Sequence, residues 1–102
     1  MTPWPDPPPG PGAAEARGPL VAATRRLLAL SAELGEPVAP ATADVDEDPV
    51  LATYQLAALA PLGPMDRLAL LRAADPDVRA ALLGRLLDDA IEVAEARLAG
   101  RA

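Results

Sequence analysis

Residues 75–98 read DPDVRAALLGRLLDDAIEVAEARL, and this stretch decides the fold. Asp75 ahead of Pro76 is a helix start. The short carboxylate can accept from N–H groups of the next turn, and proline's missing N–H is no loss at a first helical position. From there Val78, Leu82, Leu86, Ala90 and Val93 recur at three- and four-residue steps and share one face. Leu83, Leu87, Ile91, Ala94 and Leu98 widen it. A stripe that wide needs more than one neighbouring helix to cover it. Gly84 interrupts the pattern. It costs about 1 kcal/mol relative to alanine in a helix interior, which close packing against another helix would offset. Gly100 ends the helix, expected over residues 76–98.

Working outward, Asp48-Pro49 repeats the start signal and opens a second helix, with the acids Asp44, Asp46, Glu47 and Asp48 at its N-terminus, where negative charge is favourable. Its expected inward stripe is Leu51, Tyr54 and Ala58, flanked by Val50 and Ala57. Pro61 ends it and Leu62-Gly63-Pro64 makes a corner. A short helix over residues 64–73 follows, with Met65, Leu68 and Leu71 expected inward. Upstream, Leu20, Val21, Thr24, Leu27, Leu28, Ser31 and Leu34 predict a helix over residues 19–34. Pro19 suits its first turn, and Gly35 with Pro37 its stop. Residues 36–47 read as a loop. No segment alternates as a strand does. The fold class is therefore all-α: a small bundle of about four helices over residues 19–102, its short connections favouring antiparallel neighbours.

Residues 1–18 hold Pro3, Pro5, Pro7, Pro8, Pro9 and Pro11 with Gly10 and Gly12. They are expected to form a disordered tail of polyproline II character. The steps from Pro5 to Pro8 to Pro11 fit a P-x-x-P ligand, a pattern common in any such tail. Trp4 is its one sticky group.

The chain has 102 residues, 51% of them hydrophobic but only 2% aromatic, so the core must be built from Leu, Val and Ala. A net charge of −6 disfavours nucleic acid or an anionic membrane as partner. The N-terminus lacks the basic start and apolar run of a signal peptide, and a cytoplasmic protein is the default. No Cys, His or Lys is present. That removes thiolate chemistry, a lysine-bearing phosphate loop, and any His or Lys to activate Ser31, the only serine. Asp44 to Asp48 resembles the start of a calcium loop, but Pro49 and Gln55 stand where glycine and a bidentate glutamate are needed, so capping is the better reading. Asp88, Asp89, Glu92 and Glu95 read as a solvated face, since bundle metal sites also need histidine. A helix-turn-helix reading would turn Arg79 and Arg85 towards DNA, with Asp75 and Asp77 repelling the phosphates. No catalytic, cofactor or metal residue is expected, and no cofactor; partner-binding residues are not assigned.

Asp48-Pro49, the run from Tyr54 to Ala58, Pro61-Leu62, Asp66-Arg67, Leu70-Leu71, Arg79, Leu83, Leu86-Leu87 and the closing acidic helix together carry a resemblance. The stretch over residues 48–98 resembles the helical C-terminal half of the N-terminal, substrate-binding domain of Lon proteases, as in stand-alone actinobacterial proteins holding only that domain. The first helix sits where that family has the helix leading into the bundle. Leu68 and Ala80 depart from the family's usual glutamine and leucine, and its β-rich half has no counterpart here. The resemblance implies a non-catalytic module that binds polypeptide or a partner protein, and it places no binding residue. The alternative is a structural subunit that completes its core by homo-oligomerising or by docking on a β-rich partner.

Overall fold

The computed structural model describes residues 11–101. Four helices occur among them: α1 (Pro11–Glu33), α2 (Pro49–Leu59), α3 (Pro64–Arg72) and α4 (Pro76–Ala99), with no strand. The all-α bundle is as expected. The start signals work through the anticipated atoms. Asp48 caps α2, its carboxylate accepting from the N–H groups of Val50 and Leu51 at 2.8 and 3.4 Å. Asp75 caps α4 in the same way, accepting from Asp77 and Val78 at 2.7 and 3.3 Å. α1 stops as a glycine-closed helix does. Gly35 adopts φ 84°, its N–H donating to the Ala32 carbonyl and that of Glu36 to the Ser31 carbonyl, each at 3.0 Å.

The start of α1 differs from expectation. Residues 11–18, read as tail, are helical, and Pro19 lies inside the helix rather than opening it. A partner remote in sequence explains this. The N–H of Ala13, one of the first-turn donors that no intrahelical carbonyl can satisfy, donates to Asp77 Oδ1 on α4 at 2.7 Å. Arg17 adds a second tether, donating to the carbonyls of Asp46 and Val45 at 2.8 and 3.1 Å. Pro19 is exposed, so the carbonyl its ring leaves without a donor can turn to water. The rest of the expected tail, with Trp4 and most of the P-x-x-P spacing, lies outside the described residues.

The chain reverses at each of its short connections, between α2 and α3 and between α3 and α4. α1 packs most extensively on α4, and the two run parallel. Ala13 meets Asp77 at one end, Arg26 pairs with Glu95 at 3.1 Å further along, and Arg101 donates to the Glu33 carbonyl at 2.8 Å at the other end. The loop after α1 carries the chain back to Arg17, α2 rises again, and α3 returns it to the start of α4. α3 touches α2 and α4 but not α1, which makes it peripheral.

That position overturns the expected inward face of α3. Met65, Leu68 and Leu71 are 76%, 38% and 55% exposed, and Leu70 is the residue that enters the core. On α2 the buried residues are Ala52, Thr53, Leu56 and Ala57, while Leu51 and Ala58 face solvent and Tyr54 is half-buried. Small side chains flank Leu56 on the seam, where α2 packs against α1, α3 and α4 together. On α4 the buried seam is Arg79, Ala80, Leu83, Leu87 and Ala94, with Val78 and Val93 outside it. α1 matches best: Leu20, Thr24, Leu27, Leu28 and Ser31 are buried as expected, and Leu30 joins them.

Candidate functional site

A cleft of about 450 Å³ opens where three parts of the bundle meet. Leu27 and Ser31 come from the last turns of α1. Pro61, Leu62 and Gly63 come from the α2–α3 corner, and Leu86, Ala90, Val93 and Ala94 from the second half of α4. The corner exists because Pro61 and Pro64 bracket a stretch that cannot be helical. Arg67 braces it, its guanidinium donating to the Ala60 carbonyl at 3.0 Å and so closing the C-terminus of α2. Val93 is 59% exposed but stands on the cleft wall rather than on a bare helix face.

Polar groups rim this apolar surface. Glu36 is placed by the turn at Gly35, and its carboxylate lies 3.7 Å from Arg97. Asp66, in the first turn of α3, and Asp89, mid-way along α4, also border the opening. Neither has an ion-pair partner among the described residues. Ser31 is 3% exposed and lines the cleft, with no hydrogen bond from its hydroxyl among the described residues. Among those residues no group of three or more acids converges closely enough to hold a metal ion.

The residues singled out from sequence fall as follows. The acidic run before α2 caps: Asp46 accepts from the Asp48 N–H at 2.8 Å, and the Asp46 N–H donates to Gln55 at 2.6 Å. Asp88, Asp89, Glu92 and Glu95 are exposed, and Glu95 pairs with Arg26. Arg85 is exposed, but Arg79 is 0% exposed and not available to a DNA groove. Its guanidinium stacks 3.9 Å from the centre of the Tyr54 ring and donates to the Tyr54 hydroxyl at 3.0 Å. Sequence reasoning missed the cleft because its walls come from three separated segments. The one available signal was the excess width of the α4 stripe.

Among the described residues no helix is long and apolar enough to cross a membrane. Comparison with protein-family models, with curated proteins and with solved structures finds no match for this chain. The fold and the cleft define a small all-α bundle with an open cleft whose lining is part apolar and part polar.

Proposed function

We propose that this chain is a non-catalytic, cytoplasmic helical module that binds polypeptide or a partner protein through apolar helix surface, as its resemblance to the helical half of the Lon substrate-binding domain implies. The observation that carries the reading is the outer face of α3. Met65, Leu68 and Leu71 are spaced at three-residue steps, so they fall on one arc of the helix, and all are exposed. Single exposed leucines need no explanation, but three aligned on one short helix mark a contact surface. Covering one such side chain completely contributes about 1.5–3 kcal/mol.

The test is titration of the full chain with a reduced, alkylated protein that cannot refold, at moderate salt. Saturable binding is expected, and M65S/L68S/L71S should weaken it by at least about tenfold. No saturable binding to any unfolded client overturns the reading. The same face would equally be covered in a structural subunit by a second copy of the chain. Sedimentation over a range of concentrations separates the two: a tight oligomer that M65S/L68S/L71S dissociates favours the subunit.

A further inference from the structure

We propose, on the basis of the polypeptide-binding reading above, that the cleft recognises a short polypeptide segment in which a large apolar side chain is flanked by arginine or lysine. Its volume of about 450 Å³ lies in the range of sites that enclose part of a ligand. That is room for one or two side chains of an extended or helical segment, and the rest of the partner stays outside. Leu27, Leu62, Leu86 and Val93 supply the apolar wall.

Charge sets the flanking residues. Arg97, the one cation on the lining among the described residues, is engaged by Glu36, which leaves Asp66 and Asp89 with uncompensated charge at the mouth. Asp66 has an ordinary reason to be where it is, since an acid in a first helical turn is favourable. Asp89 belongs to the solvated acidic face of α4 and borders the opening without an ion-pair partner among the described residues. Ser31 lines the wall, and its hydroxyl can bond a backbone group of the incoming segment. A simple cation would leave the apolar wall uncovered, and an anionic ligand would meet Asp66 and Asp89. An apolar side chain beside a guanidinium or ammonium satisfies both parts of the surface.

The test uses the full chain, isotopically labelled, and three short synthetic peptides: one with leucine between arginines, one with glutamates for the arginines, one with serine for the leucine. Saturable amide shifts at Gly63, Ala90, Val93 and Ala94 are expected with the arginine–leucine peptide. Binding by the other two should be weaker by about tenfold or more. D66N/D89N, at two exposed positions that leave the core untouched, should weaken the arginine–leucine peptide by about threefold to tenfold. Glutamate-peptide binding as tight as that of the arginine peptide would overturn the proposal. So would saturable shifts confined to Met65, Leu68 and Leu71, although the polypeptide-binding reading would then stand. The absence of saturable shifts anywhere overturns both.

Discussion

Replacing Gly84 with alanine tests how closely α1 is seated on α4. Gly84 lies in the interior of α4, and its backbone has no need of glycine, since Gly35 alone has a positive φ among the described residues. A Cβ built at Gly84 meets one atom of another helix, Leu20 Cδ2, at 3.6 Å. That is ordinary van der Waals distance, worth about 0.1–0.2 kcal/mol for the pair. Relief of the glycine's conformational freedom in the unfolded chain contributes about 0.5–1 kcal/mol. The two effects have the same sign, so G84A should stabilise by about 1 kcal/mol. For a domain of this size that corresponds to a rise in Tm of about 4–8 °C. G84L has the opposite sign. Its branched end must displace Leu20, and overpacking of that kind costs about 1–3 kcal/mol. Thermal and urea unfolding, followed by far-ultraviolet circular dichroism, measures both variants. The urea slope should stay constant, because neither variant changes the area exposed on unfolding by much. A lower Tm for G84A would mean that α1 approaches α4 more closely than the Leu20 contact implies. Indifference to G84L would mean that α1 does not pack there.

Two further substitutions probe the tertiary contacts that local pattern did not anticipate. D77A removes the acceptor for the Ala13 N–H; it should destabilise by about 0.5–2 kcal/mol and speed amide hydrogen exchange over residues 13–18, whereas D77N, which retains a carbonyl oxygen, should do so less. Unchanged exchange in D77A would remove the capping role. Y54F deletes the hydroxyl that accepts from Arg79 but keeps the ring beneath the guanidinium; a loss of about 1–3 kcal/mol is expected in urea, smaller than that of Y54A, and equal losses would assign the whole effect to the ring.

The elements that sequence made legible are those whose causes are local. Asp48-Pro49 and Asp75-Pro76 start helices through atoms within three residues of the cap, and Gly35 stops α1 through carbonyls four residues away or less from its own turn. Pro19 misled because the rule for proline is local, whereas the start of α1 is set by Asp77, 64 residues from Ala13. Burial was misjudged on α2 for a different reason. Leu51 and Tyr54 are large side chains, but a helix wedged among three others seats Leu56 in the core and approaches its neighbours beside it through the small Ala52, Thr53 and Ala57. Local pattern gives no reason to bury a charged residue such as Arg79, and the ring and hydroxyl of Tyr54, 25 residues earlier, are among the contacts it makes inside the bundle.

The same reasoning connects the misread faces to the proposed function. α4 has apolar residues over too wide an arc for one neighbour. α1 and α2 cover the side marked by Leu83, Leu87 and Ala94, and the side marked by Leu86, Ala90 and Val93 becomes the cleft wall. α3, with two helical neighbours, buries Leu70 and leaves Met65, Leu68 and Leu71 outside. Four helices in this order thus carry more apolar face than they can close on themselves. A selected surface of this kind should tolerate polar substitution without loss of fold, since its side chains contribute little to the core. M65S/L68S/L71S therefore acts on binding while leaving the unfolding midpoint nearly unchanged. D66N/D89N should cost no more than about 0.3–1 kcal/mol, the contribution of an acid in a first helical turn. Leu70→Ala, at a fully buried site on the same short helix, should cost about 2–5 kcal/mol. If the exposed triple variant destabilised as much as Leu70→Ala, those residues would belong to the core, and the surface that the binding reading depends on would not exist.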